Sequence, residues 1–160
     1  MAKKDSKIDF LTAEDVKAIN QSVAEAEKNT SAEIKVLVVS ESSKMNFFRK
    51  KSKIRAAEKR ARIEFFKMGL DHTRDSTGVL IMISLKERAV IVKSGDAIEQ
   101  KVDPKVWQKI VDPILEGITS GRKKEGISLA VMRAGNILAE HFPVKPDDTN
   151  EISNEVVFKD

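Results

Sequence analysis

GVLIMISLKERAVIV, residues 78–92, is the segment of this 160-residue chain with the clearest strand pattern. Residues 79–85, apart from Ser84, and residues 89–92 are apolar and rich in β-branched side chains, which favour strands. The polar residues 86–88 between them form a connection short enough for an antiparallel hairpin. The segment therefore predicts two neighbouring antiparallel strands.

The residues before this hairpin predict one further strand between two helices. Thr12 and Asp15 have the spacing of a capping box, and apolar residues recur after them at helical spacing up to about residue 29. In AEIKVLVVSE, residues 32–41, apolar side chains occupy both strand faces, which predicts a strand covered on both sides. An apolar stripe then predicts a helix over residues 51–69, where Gly69 can stop it.

The residues after the hairpin predict two more helices. Asp103 followed by Pro104 is a favourable helix start, and apolar residues continue at helical spacing to Gly121. Pro113 predicts a kink or a split within that helix. Residues 127–138 predict the last helix, which should end before the prolines of HFPVKP, residues 141–146.

The order helix, strand, helix, strand, strand, helix, helix predicts an α/β fold, a three-layer α/β/α sandwich with a small mixed sheet. A right-handed crossover should place the second strand parallel to the first. The connections at residues 30–33, 71–77 and 94–103 would then meet at one edge of the sheet. We divide the chain into an N-terminal extension (1–9), a domain (10–143) and an acidic, extended C-terminal tail (144–160).

The composition excludes several classes of protein. The chain has no cysteine, which rules out disulfides, thiolate nucleophiles and cysteine-ligated zinc. Its longest apolar run, residues 79–83, is far too short to cross a bilayer, and the N-terminus lacks the apolar core of an export signal. We therefore predict a soluble, cytoplasmic protein without a transmembrane segment.

The segment DHTRDST, residues 71–77, is the main candidate for a site. Ca2+ and Mg2+ take oxygen ligands that converge from more than one loop. Asp71 and Asp75 could supply such ligands, and the predicted topology brings Glu33 and Asp96 to the same edge of the sheet. Aspartate, serine and threonine are also common in plain polar turns, where they bond to nearby backbone. The residues by themselves favour this second interpretation.

Several stretches together resemble the TPM domain family, a module of thylakoid acid phosphatases, photosystem repair proteins and receptor modulators. The resemblance rests on TSAEIKVLV (30–38), FFKMGLDHTRDSTGVLIMISLKERAVIV (65–92), Trp107 and AEHFPVKPDDTNEIS (139–153). The ending resembles the soluble, stand-alone bacterial branch.

Membership in this family implies an α/β/α sandwich, a divalent cation held by loops at one end of the sheet, and the acid phosphatase activity proposed for plant members. On this basis we predict a Ca2+ or Mg2+ site with the ligands Glu33, Asp71, Asp75 and Asp96. Any phosphomonoester hydrolysis would use metal-activated water, with Arg74 or Lys93 stabilising the phosphate.

The sequence departs from the family pattern at two positions. Residues 75–78 read Asp-Ser-Thr-Gly where soluble members have Asp-Arg-Asn-Gly, so the acidic residue is kept and the arginine is not. In SGDAIE, residues 94–99, Ala97 replaces the second glycine of the family motif and leaves Asp96 one position late. Asp96 is therefore the weaker ligand candidate.

Residues 49–67 support a competing prediction. This helix carries nine basic residues against Glu58 and Glu64, and such a face could dock a non-enzymatic scaffold on a nucleic acid, a lipid surface or a protein. Nucleic acid is not favoured, because the basic face has no interleaved aromatic residues and no recognised motif. A protein or a phosphate-containing small molecule is the expected partner. A solvated helix face, partly covered by the acidic tail, is the remaining alternative.

Overall fold

The computed structural model describes residues 10–160, and its centre is a four-stranded mixed sheet in the order β3-β2-β1-β4. The strands are β1 (Glu33–Val39), β2 (Gly78–Ser84), β3 (Ala89–Ser94) and β4 (Val157–Lys159). Strands β2 and β4 run parallel to β1, and β3 runs antiparallel to β2. The predicted parallel pair and the hairpin are confirmed, whereas β4 lies in a segment predicted only as an extended tail.

Five α-helices flank the sheet in the described part of the chain. They are α1 (Ala13–Glu27), α2 (Lys50–Lys67), α3 (Asp96–Glu99), α4 (Gln108–Ser120) and α5 (Lys123–His141), with short 3-10 turns at Leu70–His72 and Pro104–Trp107. The predicted capping box starts α1, since the backbone N–H of Asp15 donates to Thr12 Oγ1 at 3.0 Å and that of Thr12 donates to Asp15 Oδ2 at 3.1 Å. Gly69 ends α2 with φ 72°, a conformation that glycine adopts without strain.

Side chains alternate along β1 and so build two separate cores. Ile34, Val36 and Val38 pack with residues of α1, α4 and α5. Leu37 and Val39 point to the opposite face and pack with α2. Each such side chain contributes roughly 1.5–3 kcal/mol by burial, so both layers stabilise the sheet. The predicted three-layer sandwich is confirmed.

Pro113, for which the sequence predicts a kink or a split, does not split α4. The helix continues from Gln108 to Ser120 with Pro113 in its interior. Proline has no N–H, so the carbonyl of Lys109 loses its usual helical donor. Arg133 Nη1 on α5 donates to that carbonyl at 3.0 Å instead. The neighbouring helix thus satisfies the group that would otherwise favour a break.

The acidic tail follows a different path from the predicted one. Because β4 is parallel to β1, the residues before β4 pass the amino end of β1, where Asp147 and Asp148 lie against Arg74. Its polar contacts with α2 come from the last two residues: Lys159 pairs with Glu64, and the carbonyl of Asp160 accepts from Arg60. The acidic side chains of residues 147–148 therefore face the 71–77 loop and not the basic helix.

Within residues 10–160, no helix is both long enough and apolar enough to span a membrane.

Candidate functional site

The predicted convergence of three connections at one sheet edge is confirmed by the strand register. Glu33 lies opposite Gly78, and its N–H donates to the carbonyl of Thr77 at 3.1 Å. On the other side of β2, the N–H of Gly95 donates to the carbonyl of Gly78 at 2.8 Å. The connections before β1, before β2 and after β3 are therefore joined by backbone hydrogen bonds.

Asp71 and Asp96 line one small cavity at this edge, of about 90 Å³, which we name the Asp71 cavity. Its other lining residues are Phe65, Phe66, Ser76, Lys93, Ser94 and Gly95. A side chain at Gly95 would place its Cβ 2.3 Å from the carbonyl oxygen of Ser76, so this wall requires glycine. Asp71 Oδ1 is buried without a hydrogen-bond partner, while its Oδ2 lies 3.4 Å from His72 Nε2.

Glu33 lines a different cavity of about 230 Å³, which we name the Glu33 cavity. The Glu33 side chain is almost fully buried, with 3% exposure. Its Oε1 accepts from the N–H of Glu151 at 2.7 Å, whereas its Oε2 is buried without a partner. Glu27, at the end of α1, lines the same cavity and accepts from the N–H of Ile34 at 2.8 Å.

The two carboxyl groups of the Glu33 cavity resist ionisation. Burial, reinforced by the charge of Glu33 and by a hydrogen bond between the two carboxyl groups, raises the pKa of Glu27 to about 8. Burial, reinforced by the charge of Glu151, also raises the pKa of Glu33. Glu27 therefore holds its proton at neutral pH, and a cation between these groups would favour its loss.

The acidic tail fixes the 71–77 loop through Arg74 and Asp75. The Arg74 guanidinium donates to both carboxylate oxygens of Asp147, at 3.1 and 3.3 Å, and the Arg74 N–H donates to the carboxylate of Glu151. The hydrogen bond from Arg74 lowers the pKa of Asp147. Asp75 pairs with Lys145 at 2.8 Å. The two charged groups thus have partners in the tail.

The structure divides the predicted ligands among three places. Asp71 and Asp96 share one cavity, Glu33 lies in the other, and Asp75 is paired with Lys145. Within the described residues, no three acidic or histidine side chains are already grouped around a point where a metal ion could sit. The predicted phosphate-binding residues also have partners: Arg74 binds Asp147, and Lys93 Nζ lies 2.7 Å from Glu99.

Sequence reasoning missed Glu27 and Glu151. Glu27 follows Ile19 and Val23 on the buried stripe of α1, and a carboxylate on an apolar stripe is a signal that could have identified it. Glu151 carries no comparable signal, because its position depends on how the tail crosses the edge of the sheet.

Comparisons with known proteins agree with this architecture. A family model described as the TPM domain matches residues 5–137. Among solved structures, the chain is similar to the BA42 protein of the psychrophilic bacterium Bizionia argentinensis, with 30% identity and a TM-score of 0.78 over 99% of both chains. It shares its fold with the N-terminal domain of a P. gingivalis protein, with 16% identity and a TM-score of 0.57 over 86% of this chain and 82% of the other. No curated protein matches.

Proposed function

Because the chain belongs to the TPM domain family, we propose that it binds a divalent cation, Ca2+ or Mg2+, at the sheet edge formed by the starts of β1 and β2. One observation supports this proposal most strongly. In the part of the chain that the structure describes, the buried side-chain oxygens without a hydrogen-bond partner are Glu33 Oε2 and Asp71 Oδ1. Both atoms belong to predicted ligands. A buried carboxylate oxygen without a donor is costly, and a bound cation would remove that cost.

The Asp71 cavity is the better match to an ion of this class. Asp71, Asp96 and Ser76 all line the cavity, so two carboxyl groups and one hydroxyl residue are available as oxygen donors. Ca2+ and Mg2+ prefer such oxygen donors and complete their coordination with water. Asp75 would join this set only by exchanging Lys145 for the ion.

The Glu33 cavity links cation binding to protonation. With its pKa at about 8, Glu27 is protonated at neutral pH. A cation placed between Glu27 and Glu33 would displace that proton, because metal ligands must be deprotonated. Binding in the Glu33 cavity should therefore release protons.

Calorimetric titration with CaCl2 and with MgCl2 tests the proposal on the full chain. We expect Asp71→Asn to weaken binding by roughly tenfold or more, since it removes a ligand charge. Repeating the titration in buffers of different ionisation enthalpy measures proton release. Glu33→Gln should abolish that release if the Glu33 cavity takes part.

Glu116→Gln is a matched control, because Glu116 is an exposed carboxylate on α4. It should bind as the unmodified protein does. No measurable heat with either salt, or equal affinity in Asp71→Asn, Glu33→Gln and Glu116→Gln, would contradict the proposal.

Metal-dependent phosphomonoesterase activity, which the family resemblance implies, stays a prediction. Arg74 and Lys93 could stabilise a phosphate only after leaving Asp147 and Glu99. A phosphate-release assay with and without chelator tests the activity. Activity that persists in chelator would exclude the metal-dependent mechanism.

A further inference from the structure

The connection between β1 and α2, residues 40–49, exposes large apolar side chains. Phe48 is 99% exposed and Met45 is 67% exposed. Phe47 beside them is only partly buried. A phenylalanine that contacts almost nothing contributes nothing to folding, although burial of this side chain normally stabilises a protein. We name this segment the apolar loop.

Cations surround the apolar loop in an arrangement that the helix itself disfavours. Arg49 is the N-cap of α2 and makes no side-chain capping bond, and the first turn contains no acidic residue. Lys50, Lys51 and Lys53 follow within that turn. The amino end of a helix carries partial positive charge, so cations there are unfavourable. These residues therefore do not stabilise α2.

The outer face of α2 continues the same mixture of charge and apolar surface. Arg55 and Lys59 line two cavities, of about 440 Å³ and 350 Å³. Ile63 and Phe66 on this helix are 40% and 54% exposed. Several cations on the helix have no ion pair with any residue in the range 10–160: Lys50, Lys51, Lys53, Arg55, Lys59 and Arg62.

We propose that the apolar loop and the outer face of α2 dock on an anionic lipid bilayer, with Phe48 and Met45 inserted at the level of the acyl chains and the cations of α2 among the headgroup phosphates. Apolar side chains next to a basic face are the arrangement that binds at such an interface. This inference is independent of the proposed cation site.

The exposure of the loop favours a bilayer over the other anionic partners. A nucleic acid would pair with the cations but would leave Phe48 and Met45 in water. A peptide would occupy the cavity of about 440 Å³ between the apolar loop and α2. Phe48 does not line that cavity and would stay in water, since it is 99% exposed. A bilayer is deformable and receives a projecting side chain without a preformed pocket.

Vesicle flotation with the full chain tests the proposal in the presence of EDTA, which removes any contribution from the cation site. The probes are vesicles of phosphatidylcholine alone and of phosphatidylcholine mixed with phosphatidylglycerol. We expect binding to the mixed vesicles only, and weaker binding as salt rises. The double variant Met45→Ser, Phe48→Ser should reduce the partition constant by roughly tenfold or more, through lost apolar burial.

A second double variant, Lys51→Gln with Lys53→Gln, should also weaken binding and should reduce its dependence on salt. The matched control is Leu129→Ser with Met132→Ser, which removes two apolar side chains of 43% and 54% exposure from α5. The control should bind as the unmodified protein does.

Three results would overturn the proposal: equal binding to neutral and anionic vesicles, full binding by the Met45, Phe48 variant, or binding to single-stranded DNA or polyglutamate without binding to vesicles. Far-UV circular dichroism and urea unfolding of each variant establish that a lost interaction does not come from a lost fold.

Discussion

The two connections that flank α2 are held in opposite ways. The 71–77 loop after the helix is fixed by the acidic tail, through the pairs Arg74–Asp147 and Asp75–Lys145. The apolar loop before the helix has Phe48 almost fully exposed. Its hydrogen bonds to the rest of the fold lie in its first half. The N–H of Ser42 donates to the carboxylate of the buried Glu87 at 2.9 Å, and Lys86 Nζ donates to the carbonyls of Ser43 and Met45 at 3.3 and 3.4 Å.

This difference separates charges that act within the fold from charges that remain for a partner. Arg74 and Asp75 of the 71–77 loop are neutralised by the tail. Asp71 Oδ1 in the same loop and Glu33 Oε2 near it are buried without donors. Lys50, Lys51 and Lys53, which begin α2 beside the apolar loop, have no ion pair with any of the described residues. The first connection is therefore suited to a small cation and the second to an extended anionic surface.

The largest loss of stability should come from adding a side chain at Gly78, which packs against Leu70 just before the 71–77 loop. In Gly78→Ala the new Cβ would lie 2.4 Å from the carbonyl oxygen of Leu70, and backbone on both sides must move. We expect a loss of about 2–3 kcal/mol in the free energy of unfolding, measured with urea. Lys44→Ala in the apolar loop is the counterpart and should change stability by less than about 0.5 kcal/mol. Equal effects of the two changes would remove the distinction between the loops.

The next effect concerns how the free energy of unfolding depends on pH through Glu27 in the Glu33 cavity. The pKa of Glu27 is about 8 in the fold against 4.5 when unperturbed, so the folded state binds more protons between these values. Stability should then fall as pH rises from about 5 to about 8 and level off above that range. Glu27→Gln keeps an acceptor for Ile34 and removes the charge, so it should raise stability at pH 8.5 by on the order of 1–3 kcal/mol. Urea unfolding at pH 5.5 and 8.5 measures this, and parallel pH profiles of the two proteins would refute it.

A smaller effect tests the amino end of α2 directly. Arg49 has the extended backbone of an N-cap, with φ −98° and ψ 131°, but no capping side chain. Arg49→Asp should supply a cap and a favourable charge, and should stabilise the protein by about 1 kcal/mol. The same change should weaken binding to anionic vesicles. Thr12→Ala, which removes the existing cap of α1, should cost about 1 kcal/mol and leave vesicle binding unchanged.

The smallest effect is expected at the most exposed aromatic residue. Phe48→Ser should change the free energy of unfolding by less than about 0.5 kcal/mol, because Phe48 is 99% exposed. Urea unfolding without vesicles measures this value. A loss above about 1 kcal/mol would mean that Phe48 packs against the protein in solution, and the apolar loop would then be a structural element.

The parts of this fold with strong local patterns could be predicted from the sequence. The capping box of α1, the two-faced apolar pattern of β1 and the β2–β3 hairpin all depend on residues close together in the chain, and each is confirmed. The convergence of three connections at one edge also followed, because crossover handedness restricts the topology.

The remaining features depend on contacts between distant residues. Strand β4 has only three residues, and it becomes a strand because β1 offers unpaired backbone groups to it. The continuity of α4 through Pro113 depends on Arg133 of another helix. Which carboxylates share a cavity depends on side-chain directions and on the path of the tail. The spacing of residues along the chain predicts neither of these.

Strand β4 also bears on how the molecule avoids self-association. By pairing with Leu37–Val39, it covers the far half of β1, a strand whose residues are all buried. A long apolar strand with free backbone groups is a template for pairing with other chains, whereas a short edge strand offers few such groups. Loss of residues 157–159 would turn β1 into that kind of template, so the most damaging consequence of a truncation here would be aggregation and not loss of a ligand.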